Sequence, residues 1–514
     1  MEVKLIHILG PILATVAMLF YGRNMVAREQ GRKVNLAPTL TLVAGALLFR
    51  AFWGDGTFLD RICLCLMDFG IALIIDSRYL KVKKSHPKVF WVPGILALIV
   101  SFIIYFIASL FGWTVNGMFD PGEEIKRDGQ VIVELGPDDS MEELEGVLEQ
   151  FDAVYEDAFP AIGLGEDEDL GQTWLVKLPA DKETAFLEMV RKDKENVDFA
   201  EDDIAFKMEP PKQPKARKEK DVKGYLANDP GIDEQWWFPK EKANAIHGLL
   251  KENKPKKKAI VAIVDTGVDN KHEDLKGVFG DSKGKGDKQG HGTHCAGLAG
   301  AATNNKRGVA SLNWEGRFIE IRSYKGLSDN GSGTAAKVSR AITDAADGGA
   351  DVISLSLGSP MYSRTQKNAI KYALKKGCII IAAAGNSHGA DAKNYYPAST
   401  DGVICVSAVN RQLERSFFSN INTSLKMPLG APGSEVYSTY PKGEYKAMNG
   451  TSMATPIVAG LMGVIRAYKP DISAQDAWKL ANETAQEVPA SIEVGRVIDP
   501  LATLEKLLGK SSAN

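Results

Sequence analysis

Four side chains in this sequence have types and neighbours suited to nucleophilic chemistry. Ser452, in the segment NGTSMATPIVAG, carries a hydroxyl that is a poor nucleophile until a nearby imidazole takes its proton. His291, in GHGTHCAG, is the candidate base. Asp265, which opens DTGVD, offers the carboxylate that would hold the imidazole tautomer and stabilise the imidazolium. Asn386, in AAAGN, offers an amide donor to a developing oxyanion, and losing such a donor costs about 2.7–4 kcal/mol of transition-state stabilisation. Alone, Asn386 reads as a turn residue after a strand. The ordered set, spread over about 190 residues, is far more specific than any one motif. His294 lies three residues after His291, but the H-E-x-x-H pattern of zinc peptidases is missing, so a structural role is expected.

These groups need rigid elements to aim them. AIVAIVD (259–265), VISLSL (352–357), CIIIAAAGN (378–386) and GVICVSAV (402–409) are continuous apolar runs separated by helical stretches. Such runs are strands buried on both faces, so the predicted fold is α/β, a parallel sheet with helices on both sides. Ligand sites then fall at the carboxyl ends of the strands, where Asp265 and Asn386 sit. Ser452 opens an apolar helix, SMATPIVAGLMGVIRAY, whose free N-terminal amides favour negative charge.

Together the motifs resemble those of subtilisin-like serine peptidases, over roughly residues 225–485, a little over half of the chain. The resemblance implies a triad of Asp265, His291 and Ser452, with Asn386 as oxyanion donor. It also implies an extended protein or peptide substrate lying along Gly331, Ser332 and Gly333, with Ser356, Leu357 and Gly358 and Ala383, Ala384 and Gly385 as walls of the S1 pocket. Tyr395 falls near the floor of that pocket, where a bulky side chain would shorten it. Cys295 resembles the cysteine beneath the catalytic histidine of proteinase K-like members, and also reads as a small buried apolar residue. No cofactor is implied for catalysis. Structural calcium occurs in the family, but the short NNKRGVAS segment lacks the inserted loop that binds it in several relatives, and no metal ligands are assigned.

Residues 131–207 read as strand, helix, strand, strand, helix, strand, a ferredoxin-like α+β unit. Ser140 and Glu143 form a capping box ahead of its first helix, and VDFAEDDIAF is its last strand. Thirteen acids and no Lys or Arg lie between Gly136 and Leu170, which reads as a solvated face. The unit holds no Cys or His for a soft metal. Residues 209–224 are rich in Pro and Lys, an extended tether. Subtilisin-like zymogens resemble this order, with a ferredoxin-like prodomain (125–208), a tether and then a peptidase domain (225–510). Autoprocessing in the tether is expected on the same ground.

Residues 1–112 hold long apolar runs at 5–22, 36–53, 58–75 and 89–112, near the roughly 18–25 residues that cross a bilayer. About four transmembrane helices are expected, with Asp68 pairing Arg50 or Arg61 inside the bundle. The loops bearing Arg23, Arg28, Arg32 and Lys33, and Arg78, Lys81, Lys83, Lys84 and Lys88, belong in the cytoplasm. Everything after residue 113 then lies outside it, on a multi-pass protein of the cell membrane. A net charge of -3 gives no basic footprint for nucleic acid, and five scattered Cys give no disulfide framework. The leading expectation is a membrane-anchored serine endopeptidase. The rival is a membrane sensor whose peptidase-like domain binds peptides without cutting them.

Overall fold

A computed structural model of the chain describes residues 129–208 and 224–510. The chain divides into two compact units, 1–123 and 124–514, and every described residue belongs to the second. The four expected spans and nearly all of the tether therefore lie outside the described residues. Among the described residues no helix is long and apolar enough to cross a membrane.

The first described block is a sheet with helices on one side. Strands β1 (Gln130–Leu135), β2 (Val154–Asp157), β3 (Thr173–Lys177) and β4 (Val197–Asp202) lie in the order β2-β3-β1-β4, all antiparallel. Helices α1 (Glu145–Gln150) and α2 (Glu183–Val190) follow β1 and β3. The Ser140 amide donates to Glu143 Oε2 at 2.9 Å, half of a capping box that starts the turn leading into α1. Side chains alternate across β1, so Val131 and Val133 meet Leu144, Leu148 and Phe186, while Ile132 joins a different core.

The run VDFAEDDIAF is not one strand. It breaks after Asp202, and β5 (Ala205–Lys207) leaves the first sheet to pair elsewhere. The cause is Asp203, a buried carboxylate that accepts the Ala336 amide at 2.8 Å and so ties the chain to the start of a distant helix.

The larger block is built on a six-stranded parallel sheet. Strands β6 (Ala259–Asp265), β7 (Ile319–Lys325), β9 (Val352–Leu355), β10 (Ile379–Ala383), β11 (Val403–Val409) and β12 (Pro428–Pro432) run in the order β12-β11-β10-β9-β6-β7. The short β8 (Ser332–Thr334) stands outside it and pairs with β5. Alternation again sorts the cores. Val261, Ile263, Ile381 and Ile404 face α3 (His291–Gly300) and α6 (Thr451–Tyr468). Ala262, Val264, Ile380 and Ala382 face α4 (Ala335–Asp347) and α5 (Arg364–Lys375). Ile132 and Leu175 of the first sheet share this second core, so that sheet is packed on the α4 and α5 side.

Candidate active site

Asp265 is the last residue of β6 and His291 the first of α3. They meet because α3 approaches the β6 end at glycine range. A Cβ on Gly292 would lie 2.1 Å from the Gly267 carbonyl oxygen, so no larger residue fits there. His291 Nδ1 lies 2.8 Å from Asp265 Oδ1 and 2.9 Å from Oδ2. Oδ1 also accepts the Thr266 amide at 2.7 Å, which fixes the carboxylate. Burial opposes charge on the His291 ring, but the Asp265 carboxylate, with Cys295, overcomes it and holds the imidazole pKa well above its ordinary 6.5. Nε2, the nitrogen turned away from Asp265, is buried and has no hydrogen-bond partner among the described residues.

Ser452 is the second residue of α6. Its hydroxyl donates to the Ser356 carbonyl at 3.2 Å and not to His291, so the serine–histidine link is unmade in this state. Catalytic hydrogen bonds commonly tighten only when substrate is bound. The placement of Ser452 depends on Pro456, four residues on. A helix residue there would donate its N–H to the Ser452 carbonyl, and proline has none. That carbonyl instead accepts the Ser356 hydroxyl at 2.8 Å and the Cys295 thiol at 3.4 Å. The helix start is thereby fastened to the end of β9 and to α3. Cys295, beneath His291, is a buried thiol whose pKa burial pushes up.

Asn386 lies three residues past β10. Its Oδ1 accepts the Thr451 amide at 2.9 Å and the Thr451 hydroxyl at 3.0 Å. With the carbonyl end so held, Nδ2 is the amide group left to donate. Thr451 also accepts the Gly385 amide at 3.3 Å, and thus couples the β10 turn to the nucleophile. Sequence reasoning passed over Thr451, although its place beside Ser452 was a signal.

Two of the remaining predicted segments are joined by a strand of the same chain. Gly333 and Ser332 pair with Phe206 and Lys207 in the β5–β8 register, and the Met208 amide donates to the Gly331 carbonyl at 3.0 Å. The Lys207 amide points to the Gly358 carbonyl at 3.4 Å. A strand of this same chain thus lies between the two segments expected to hold substrate, antiparallel to β8. Ala384 and Gly385 follow β10, and the Ala384 carbonyl accepts the Asn420 side-chain amide at 2.9 Å. The Leu357 and Ala383 side chains are buried.

The block carrying β5 is held by contacts that no local pattern announced. Glu201 accepts the Ser363 hydroxyl (2.8 Å), the Arg364 amide (3.0 Å), the Thr365 amide (3.1 Å) and the Thr365 hydroxyl (2.7 Å), which caps α5. Arg364 also donates to Glu134 at 2.7 Å. Asp203 caps α4, and Arg340 donates to the Ala158 and Asp157 carbonyls at 2.7 and 2.9 Å. Glu201 and Asp203 belong to the run VDFAEDDIAF, which reads as one continuous strand, so nothing local marked them as helix caps.

His294 bonds the Lys446 carbonyl through Nε2 at 2.9 Å, and burial pushes its pKa down to about 3, so it is a neutral structural ring. Among the described residues one trio, Asp265, His291 and Cys295, brings metal-ligating atoms within 4.8 Å of one another, and its acid and imidazole already bond each other. The acids beside the NNKRGVAS segment accept protein donors. Asp274 accepts the Asn305 amide at 2.7 Å and the Val309 N–H at 2.8 Å, and Asp229 accepts the Asn304 and Asn305 N–H groups. Each of these four carboxylate oxygens takes one protein donor.

A parallel α/β sheet that brings a serine, a buried histidine–aspartate pair and an asparagine amide to one end of its strands defines a serine hydrolase. Residues 256–499 match the peptidase S8 subtilase family. Thermitase of Thermoactinomyces vulgaris is 40% identical over 249 residues, covering 47% of this chain and 85% of that protein. Subtilisin DY of Bacillus licheniformis is 39% identical over 243 residues, 46% of this chain and 86% of that protein. A thermophilic serine proteinase of Bacillus sp. (strain AK1) is 42% identical over 212 residues, 40% of this chain and 51% of that protein. The chain belongs to the subtilase family and is a serine endopeptidase.

Proposed function

We propose that the chain is the zymogen of a membrane-held endopeptidase acting outside the cytoplasm. The observation that carries the catalytic part is the buried Asp265–His291 pair, with Nε2 left without a partner in the cleft that Ser452 enters from α6. Turning the Ser452 hydroxyl from Ser356 to Nε2 arms the nucleophile. Oγ then attacks the substrate carbonyl carbon while its proton passes to His291, and Asp265 steadies the imidazolium. The oxyanion takes the Asn386 Nδ2 donor and the free amide at the start of α6. The C–N bond breaks as His291 returns the proton to the leaving amine, and water, activated by the same imidazole, releases the acyl group. No cofactor enters this sequence.

Strand β5 occupies the cleft in the manner of an extended substrate, which supports reading residues 125–208 as a prodomain that covers the site until the chain is processed. The membrane part rests on the four apolar segments and the basic loops between them. Labelling by a fluorophosphonate probe tests the chemistry: the wild type is expected to label, and Ser452→Ala to lose the label. Protease protection on intact spheroplasts tests the topology. A catalytic domain shielded until the membrane is broken would reverse it.

A further inference from the structure

The gap between the two S1 walls is already filled by protein. A Cβ built on Gly358 would lie 2.2 Å from Tyr395 Cε1 and 2.7 Å from its Cζ. One built on Gly385, on the opposite wall, would lie 3.1 Å from both Cδ1 and Cε1 of the same ring. One edge of the Tyr395 ring therefore stands between the two backbones. Two glycines are what allow it there, since a side chain on either would collide with the ring.

This gap belongs to the nucleophile. Ser356, two residues before Gly358, offers the carbonyl that Ser452 Oγ touches at 3.2 Å. Gly385 donates to Thr451, the residue before Ser452. The two segments that the resemblance assigns to the P1 side chain are thus the ones tied to Ser452 and Thr451. The ring is also anchored on both sides of its backbone. The Tyr395 amide donates to Ala392 at 3.0 Å, and the Ser399 amide to the Tyr395 carbonyl at 3.0 Å. The next residue, Tyr396, exchanges two main-chain hydrogen bonds with Ser359, at 2.9 and 2.8 Å. Moving the ring aside for a large guest would disturb the wall itself.

We propose that Tyr395 closes the S1 pocket, so that this peptidase accepts Gly, Ala or Ser at P1 and rejects Phe, Tyr and Leu. The inference rests on the reading of Ser452 as nucleophile. A dense pocket discriminates by volume, because an added group forces either the guest or the wall off its minimum. Binding strength then comes from main-chain pairing along β8 and Gly358, the mode that β5 displays.

The test uses the full-length chain and two peptides identical except for Ala or Phe at P1, competing in one tube. The ratio of their kcat/KM values does not depend on how much of the cleft β5 still covers. The wild type is expected to favour Ala by about tenfold or more. Tyr395→Gly should bring the ratio to favour Phe, and Tyr395→Phe should keep the wild-type preference. If the glycine variant fails to fold, Tyr395→Ala serves in its place, and the wild-type ratio alone already tests the idea. A wild type that prefers Phe, or an active Tyr395→Gly with an unchanged ratio, overturns the inference while probe labelling of Ser452 leaves the catalytic reading intact. No turnover and no labelling in the wild type would bring down both.

Discussion

Phe206 and Gly333 are register partners in the two-stranded sheet of β5 and β8, and the Phe206 ring is wholly buried. A Cβ on Gly333 would lie 2.2 Å from the Gly326 carbonyl oxygen, so only glycine fits there, and the Phe206 ring belongs to the same buried cluster as Leu327 and Val338. Truncating a buried Phe to Ala costs about 3–5 kcal/mol. Phe206→Ala is therefore expected to loosen β5, and Ser452 in the full-length chain should take up a fluorophosphonate at least tenfold faster (roughly, as part of that cost). An unchanged labelling rate would mean that β5 does not guard the site.

Glu201 holds the same block at its far edge, through four donors at the start of α5. Glu201→Ala strands buried donors at a cost of about 1–3 kcal/mol. Labelling of Ser452 should again quicken, whereas catalytic constants after tether cleavage should stay at the wild-type level, because Glu201 touches no reacting atom.

A pH dependence follows from Glu134. Burial pushes its carboxyl up to about 7 in the docked block, against the pull of Arg364 and with Asp169, Asp198 and Glu201 adding to the rise. Undocked, with the carboxyl in water, the ordinary value is 4.5. A carboxyl raised by docking binds a proton more readily in the docked state, so its contribution is full below 4.5 and is lost as pH rises through about 7. Labelling should speed up over that window, and Glu134→Gln should flatten this part of the profile. A Glu134→Gln profile identical to the wild type would discard the idea.

The chemistry has its own pH limb. The base must be neutral, and Asp265 holds the His291 pKa well above 6.5, burial notwithstanding. After processing, kcat/KM should climb through a midpoint above 6.5. Asp265→Asn should lower both the midpoint and the rate, the latter by about 10⁴, the loss shown by a chymotrypsin-type enzyme with the same change.

Asn386→Leu keeps bulk but removes the amide that Thr451 orients. A fall of about 10²–10³ in kcat with KM little altered is expected, as in a related subtilisin. A KM effect alone would place Asn386 in substrate binding instead of at the oxyanion.

Processing should cut within the tether. N-terminal sequencing of the extracted wild type should find a fragment that begins between residues 207 and 225, and Ser452→Ala should accumulate the full-length chain. An active but uncut wild type would mean that the β5 block leaves the cleft without cleavage.

The parallel sheet and the chemical groups were legible in the sequence for local reasons. Continuous apolar runs such as AIVAIVD read as strands covered on both faces; Asp265 ends one, Asn386 follows another by three residues, and His291 and Ser452 stand at helix starts. Periodicity speaks of neighbours along the chain. It could not show that Asp203 would break a strand to cap a helix that begins more than 130 residues later, or that Glu201 would reach α5. Nor could spacing show that the carbonyl freed by Pro456 would be taken by Cys295 and Ser356, or that the ring of Tyr395 would stand between Gly358 and Gly385. Each of these depends on which surfaces meet after the chain has closed, and hydrogen bonds and steric contacts between distant residues leave no period in the sequence. Residue type and order determined the chemistry this chain can perform; tertiary packing decided which strand covers the cleft and how large a side chain the cleft can take.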